Sequence, residues 1–270
     1  MFSHCFRDKK GLYKQKILIL HKMNGMDDEN IHNKIKDLLG ILPDKYSIIE
    51  DQIPIDEQIA YFELSKHYKK NVDEEEVLKN SDLLFLPETS IDKKKDLLSR
   101  LATIEKPKAY RIIEKFLKNS EKEIRGWAKL ALLENRMSLE SSLLEQNQIL
   151  ISTGLGGKND KLRYFLVVFL KNSFQFNETH KKVVSNEFEL IMNKYKSEME
   201  ELTFHHNYLT ITALIPLEVP LKNMFSNSIQ ECNQFGDFLE DNFIITNVKK
   251  LSEIEINNFI HRNNLNDESE

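Results

Sequence analysis

The stretch that decides the fold is ILISTGLGGKNDKLRYFLVVFL, residues 149–170. Three of the chain's eight glycines lie between its two apolar runs: Gly154, Gly156 and Gly157. The second run is apolar at nearly every position, which is typical of a central strand covered on both faces. We predict two strands, at 149–153 and 162–170, joined by the glycine loop. Before this stretch the apolar spacing is helical, and after it strands and helices mix.

After this stretch, the remaining predicted elements alternate between helix and strand. They are a long helix that Asn177 caps and that continues through Leu202, a strand at 208–217, a helix from Pro220, a strand at 243–248 and a helix after Ser252. This order predicts an α+β domain over 149–262, with a mixed sheet of four strands and helices packed on it. Residues 263–270 are polar and acidic, and we expect a disordered tail there.

Before this stretch, residues 27–148 have the apolar spacing of an α-helical domain. The predicted helices cover residues 31–39, 55–69, 73–80 and 91–104, then one begins at Pro107, another follows Ser120, and Ser138–Leu144 closes the series. Helices of this length with short connections must lie antiparallel to their neighbours.

The clearest helical pattern is EIRGWAKLAL at 123–132, within residues 91–136. An acidic position precedes an apolar one and an arginine, and small alanines allow close packing. This pattern resembles the second helix of HEAT-like repeats. The resemblance implies a short α-solenoid whose surface binds other molecules.

The first 22 residues do not share the helical pattern of residues 27–148, and two alternatives stay open for them. Met23 and Met26 directly precede Asp27, where the sequence has the chemistry of a helix start. Residues 1–26 are therefore a candidate N-terminal extension from a wrongly chosen start codon. The alternative is a genuine strand at Lys16–Leu20.

The composition is that of an ordinary globular protein. Hydrophobic residues make up 40% and charged residues 30% of the 270 residues, and the formal net charge is −5. The two cysteines, Cys5 and Cys232, lack metal-ligand spacing and fit a reducing compartment. No apolar run approaches the roughly 20 residues of a membrane span. We therefore predict a cytoplasmic protein with no membrane partner, metal or cofactor.

Two neighbouring helices carry cations on the side away from their apolar residues. Residues 91–136 hold 13 Lys and Arg against 7 Asp and Glu. Seven of these cations recur at helical spacing and form what we call the basic stripe: Lys108, Arg111, Lys115, Lys118, Lys122, Arg125 and Lys129. It is a candidate surface for a nucleic-acid backbone or an acidic partner, or an ordinary solvated face. No aromatic residue interleaves it, which argues against single-stranded nucleic acid.

The glycine loop is a candidate anion site, because glycines let backbone amides approach a phosphate. Lys158, Lys161 and Arg163 follow it and would add positive charge. Known phosphate loops, however, place a helix directly after the glycines, whereas a strand is predicted here. The alternative is a hairpin in which the glycines supply positive φ.

No catalytic pattern is present in the sequence, and we predict no catalytic residue. Three histidines flank the ends of the predicted long helix without companion ligands: His180, His205 and His206. The leading hypothesis is a non-enzymatic protein-interaction module whose partner is another protein. Two alternatives stay open. One is an anion or small-molecule binder, or an enzyme, with its site at the glycine loop, and the other is a nucleic-acid-binding protein that uses the basic stripe.

Overall fold

The structure is a computed structural model that describes two compact units. The described residues are 2–7, 14–19, 46–69, 72–144, 149–171 and 174–267, and side chains are described for 46–69, 72–143, 150–171 and 174–260. Unit 1 comprises residues 2–7, 14–19, 46–47, 53–69, 72–144 and 149–152, and unit 2 comprises 48–52, 153–171 and 174–267. The helix predicted at 31–39 lies outside the described residues. Our division of the chain at residue 149 stays a prediction.

Unit 1 contains a four-stranded sheet with the strand order β1-β2-β4-β3. Its strands are β1 (Phe2–Arg7), β2 (Lys14–Ile19), β3 (Tyr46–Ile48) and β4 (Ile149–Ser152). β1 and β2 are antiparallel, whereas β2 and β4 are parallel, with Lys16 opposite Ile149. A strand therefore lies where one alternative for the N-terminal residues placed it.

The helices of unit 1 follow the predicted spacing closely. They are α1 (Ile55–Tyr68), α2 (Glu74–Lys79), a 3-10 helix (Asn80–Phe85), α3 (Ile91–Ala102), α4 (Pro107–Lys118) and α5 (Lys122–Leu144). Pro107 occupies the first turn of α4, where its missing N–H leaves no bond unmade. The separate helix predicted at Ser138–Leu144 is wrong, because no glycine or proline lies between Trp127 and Leu144 to end α5.

α5 is the centre of unit 1, since α1, α3 and α4 all pack against it. Trp127 lies in this core, 5% exposed, with Tyr61 edge-on to its ring at 5.3 Å. Its indole N–H donates to the Lys95 carbonyl and to the Ser99 hydroxyl, each at 3.0 Å. In a solenoid each repeat contacts only its neighbours. The predicted α-solenoid is therefore wrong, because three helices converge on one.

Two buried polar residues on α5 tie the helices together. The Glu134 carboxylate accepts hydrogen bonds from Tyr61 Oη at 2.6 Å and Ser65 Oγ at 2.7 Å, and pairs with Lys69 Nζ at 2.8 Å. The Asn135 side-chain amide donates to three carbonyls at the C-terminal end of α3, at 2.8–3.2 Å. The Asn135 contacts bind carbonyls at the end of α3, where a helix leaves its last C=O groups without intrahelical partners.

Unit 2 is an α+β unit built on one five-stranded antiparallel sheet. Its elements are β5 (Gly157–Lys158), β6 (Lys161–Leu170), α6 (Glu178–Lys194), β7 (Glu198–Phe204), β8 (Tyr208–Pro216), α7 (Leu221–Asn233), β9 (Leu239–Thr246) and α8 (Glu253–Asp267). The strand order is β5-β6-β8-β7, and β9 also pairs with β6. The α+β class is confirmed, whereas the expected mixed sheet of four strands is replaced by an all-antiparallel sheet of five.

The central strand β6 is buried on both faces, as its continuous apolar run predicts. Phe165, Val167 and Phe169 project to one face, where they pack with Ile256 of α8. The alternate residues of β6 are also buried, and α6 and α7 contact each other and the strands β7 and β9. Helices therefore cover this sheet from more than one side.

The predicted long helix ends eight residues early. α6 stops at Lys194, Lys196 takes a positive φ of 53°, and Met199 and Leu202 lie on β7 instead. Spacing by threes and fours continues through these two residues, so it did not distinguish the helix from the strand. Three glutamates that fall within the predicted helix, Glu198, Glu200 and Glu201, therefore lie on a strand.

The predicted hairpin across the glycine loop is also wrong. β4 and β6 belong to different sheets, so the two apolar runs do not pair. The tight turn lies one step later, between β5 and β6, where Asn159 and Asp160 have φ values of 48° and 60°. Positive φ at both central positions is the requirement of the commonest two-residue hairpin turn.

Candidate functional site

The basic stripe lies on the solvent side of α4 and α5. On α4, Ala109, Ile113 and Phe116 are buried and the four cations of the stripe are exposed. On α5, Lys122 and Arg125 are exposed, whereas Lys129 is half-buried. This arrangement follows from the sequence, since a helix with buried residues at spacings of three and four turns the remaining positions toward water.

Few carboxylates neutralise the stripe. Lys118 lies 3.5 Å from Glu114 one turn before it on α4, and Lys129 has a contact of its own within the protein. Within the described residues, no ion pair is found for four of the seven cations: Lys108, Arg111, Lys122 and Arg125. The stripe therefore presents positive charge to solvent.

The cations of unit 2 differ in this respect, because many of them are held by carboxylates at 2.5–2.9 Å. The pairs are Lys161–Glu198, Arg163–Glu200, Lys171–Asp237, Lys181–Glu178, Lys249–Glu255 and Lys250–Glu201. Hydrogen bonding raises the pKa of Lys171 and lowers the pKa of Glu178 in these pairs. Six of the eleven cations described in unit 2 are thus paired, whereas, within the same described part of the chain, no ion pair is found for four of the seven in the stripe.

An aromatic side chain lies beside the stripe, which spacing along the two helices did not predict. Phe85, the last residue of the 3-10 helix, is 38% exposed, and Lys115 Nζ lies 5.0 Å from its ring centroid. The neighbouring Leu86 is equally exposed. No aromatic residue interleaves the stripe along its own two helices, and Phe85 reaches it from the 3-10 helix. Phe85 precedes Lys115 by 30 residues, and only tertiary packing brings them together.

The glycine loop is closely packed against backbone carbonyls. A Cβ on Gly154 would lie 1.8 Å from the Val248 carbonyl oxygen, and one on Gly156 would lie 2.4 Å from the Glu50 carbonyl oxygen. The Leu155 amide donates to the Asn247 carbonyl at 3.0 Å. Carbonyl oxygens carry partial negative charge and do not attract an anion. Close backbone approach is thus a sufficient reason for glycine at these two positions.

The three cations after the glycine loop have different surroundings. Lys161 pairs with Glu198 at 2.6 Å, and Arg163 is bidentate to Glu200 at 2.5 and 2.8 Å, whereas Lys158 is exposed. Hydrogen bonding to Glu200 raises the pKa of Arg163, and the same bond lowers the pKa of that carboxyl. The anion-site hypothesis for this loop, which also includes Gly157, stays a prediction.

The histidines and Ser152 contact neighbouring polar or aromatic groups. The His180 ring stacks on Phe238 at 4.2 Å beside the start of α6. His205 stacks on Tyr208 at 4.4 Å, in the turn between β7 and β8 rather than at a helix end. The Ser152 hydroxyl donates to Gln58 in the core of unit 1. Among the described residues, no group of three His, Cys, Asp or Glu side chains is placed to hold a metal ion.

None of the helices in the described part of the chain has both the length and the apolar character to cross a membrane.

Comparison with known proteins identifies no family. No family model matches the chain, and no curated protein matches it. A solved REP-associated tyrosine transposase bound to a REP hairpin is similar at a TM-score of 0.30 and 9% identity, over 38% of this chain and 63% of that chain. The match thus spans less than two thirds of that transposase. A candidate transposase from Deinococcus radiodurans is similar at a TM-score of 0.33 and 16% identity, over 39% of this chain and 93% of that one.

The helix packing of unit 1 corrects the leading hypothesis. That hypothesis came from the HEAT-like resemblance over 91–136, which implied an α-solenoid, whereas the two solved structures are described as transposases. That resemblance, and the non-enzymatic protein-interaction module with a protein partner that we based on it, are wrong. The packing of three helices around α5 gives the physical reason, since it differs from a stack of repeats.

Proposed function

We propose that this protein binds nucleic acid and that the basic stripe on α4 and α5 contacts the phosphate backbone. The observation that carries the proposal is the set of exposed cations without an ion pair among the described residues: Lys108, Arg111, Lys122 and Arg125. Neutralising such cations releases counterions from the nucleic acid, which is the main source of backbone affinity. The paired lysines of unit 2 would have to leave their carboxylates before they could bind a phosphate.

The charge of the stripe sets the expected salt dependence. Lys115 and the four cations without an ion pair make five candidate phosphate contacts. Each contact on duplex DNA contributes a slope of about −0.9 to log K against log salt. Five contacts therefore predict a slope between roughly −4 and −5, or a loss of about 500-fold between 50 and 200 mM salt.

The test compares two variants of equal charge. The stripe variant carries Lys108→Gln, Arg111→Gln, Lys122→Gln and Arg125→Gln. The control variant carries Lys171→Gln, Lys181→Gln, Lys249→Gln and Lys250→Gln, and its four lysines lie in ion pairs of unit 2. Binding of a labelled duplex is followed by fluorescence anisotropy from about 50 to 300 mM salt. Over this range the electrostatic screening length shortens toward a few ångströms, so attraction between charges weakens.

We expect the stripe variant to lose affinity and to flatten the salt slope by about 3.6, whereas the control keeps most of both. Circular dichroism and urea midpoints check that both variants fold, since exposed substitutions change stability by only about 0.5 kcal/mol. Equal losses in the two variants would show that net charge, rather than the stripe, attracts the duplex. Absence of duplex binding by the native protein at about 150 mM salt would end the proposal.

A further inference from the structure

Phe85 is one of few large apolar side chains of unit 1 that face solvent. Among the described residues of unit 1, the exposed large apolar side chains are Phe85, Leu86 and Leu143. Two of the three are adjacent in sequence and lie at the end of the 3-10 helix that packs against α4. Packing of unit 1 does not by itself require an aromatic ring that stays partly exposed next to a row of cations.

The segment that carries Phe85 is anchored by buried neighbours. Leu84 and Ser81 of the 3-10 helix are buried, and the Ser81 hydroxyl donates to the Leu78 carbonyl at 2.8 Å. The ring of Phe116, buried on α4, meets Phe85 edge-on at 6.1 Å and 70°. Phe85 therefore packs against Phe116 and still keeps 38% of its surface exposed.

A cation lies over this ring. Lys115 Nζ is 5.0 Å from the Phe85 centroid, so it must move aside before a base can stack on that face, and Lys115 belongs to the basic stripe. A nucleotide carries a flat base and a phosphate a few bonds apart, so an aromatic ring and an ammonium group side by side match both of its parts. Proteins that hold single strands combine these two elements, cations for the backbone and aromatic rings for the bases.

We propose that Phe85 stacks against an unpaired base while Lys115 moves to the adjacent phosphate, so that the stripe binds single strands through a base as well as through phosphates. This inference rests on the proposed function of the stripe. In a duplex the base faces are already stacked on one another and are closed to a protein ring. Stacking is tolerant of sequence, because every base has a π face.

The test uses two oligonucleotides with the same number of phosphates, a 12-mer of deoxythymidine and an abasic 12-mer. Both are measured with the full chain and with Phe85→Leu at low salt. Stacking of one base predicts that the native protein binds the thymidine strand about 5- to 150-fold more tightly than the abasic strand. Phe85→Leu removes that difference and leaves the affinity for the abasic strand unchanged. Leu86→Ala is the matched control and keeps the difference.

A second variant keeps the test informative if Phe85→Leu does not fold. Phe85→Trp retains a stacking ring and adds an exposed indole, since Trp127 is the chain's single tryptophan and is buried. The emission of the new indole is expected to be quenched by the thymidine strand and not by the abasic strand. Equal binding of both strands by the native protein, with no quenching in Phe85→Trp, would overturn the stacking inference while the stripe proposal stands. Binding of neither strand would overturn the stacking inference, and the duplex titration then decides the stripe proposal separately.

Discussion

Replacement of Trp127 by alanine tests how unit 1 is held together. The side chain is 5% exposed, and its indole N–H bonds α3 through the Lys95 carbonyl and the Ser99 hydroxyl. Its ring also meets Tyr61 of α1 edge-on. Trp127→Ala therefore removes contacts that join α5 to two other helices at once.

The expected loss in the free energy of unfolding follows from the buried area of the Trp127 side chain. Folding removes on the order of 200 Å² of a large aromatic side chain from water. At about 25 cal/mol per Å² this area corresponds to about 5 kcal/mol, an upper bound because unfolded chains already bury some surface. Truncation of a core tryptophan to alanine typically costs about 3–5 kcal/mol, and we expect a loss in that range. Trp127→Phe keeps a ring but loses both hydrogen bonds, so we expect about 1–2 kcal/mol.

Urea unfolding followed by far-ultraviolet circular dichroism measures these losses, since the alanine variant has no tryptophan to report by fluorescence. Arg125→Ala is the control on the same helix, and an exposed substitution there should stay within about 0.5 kcal/mol. A loss below about 1 kcal/mol for Trp127→Ala would refute the reasoning. Red-shifted native emission from Trp127 would refute it as well, because it would place the ring in water.

Four further outcomes are expected elsewhere in the chain. Glu134→Leu should destabilise unit 1 by about 3–5 kcal/mol in urea, because Tyr61, Ser65 and Lys69 lose their common buried acceptor; a loss under about 1 kcal/mol would contradict this role. Gly154→Ala should lower the stability of unit 2 by about 1–3 kcal/mol, because its Cβ would meet the Val248 carbonyl, while Lys158→Ala should be neutral. Hydrogen bonds from Lys249 and Ser252 lower the pKa of Glu255 to about 2. The stability that this carboxylate contributes is therefore complete above about pH 4.5 and is lost as the pH falls through about 2. NMR titration of Glu255 should show a higher midpoint in Ser252→Ala. Burial raises the pKa of Cys232 to about 12, so in a Cys5→Ser background a thiol reagent at about pH 8 should label the protein only after unfolding, and rapid labelling of the native chain would refute the buried position.

Local chemistry in the sequence predicted most helix starts. The Asn177 side chain accepts a hydrogen bond from the His180 amide at the start of α6, and Ser252 and Glu255 form the expected reciprocal cap of α8. Pro107 and Pro220 directly open α4 and α7. These starts are predictable because a cap depends on residues only three or four positions apart.

The candidate sites were less predictable, because they depend on contacts between distant residues. Exposure of the basic stripe follows from helical spacing, whereas its scarcity of carboxylate partners becomes visible only in the structure. The Phe85 ring reaches Lys115 through the packing of the 3-10 helix on α4. Glu198 and Glu200 pair with the cations after the glycine loop because β7 and β6 flank β8, whereas the sequence placed these glutamates on a helix.

The sequence by itself determined where most described helices begin, which face of each is apolar and that β6 is a central strand, because these properties depend on periodicity over a few turns or pleats. Tertiary structure alone decided that the two halves of residues 149–170 enter different sheets, that Met199 and Leu202 lie on a strand, and that three helices converge on α5. Strand pairing and helix packing join residues far apart in the chain. The choice among possible partners is made by the burial of whole surfaces, which no local pattern records.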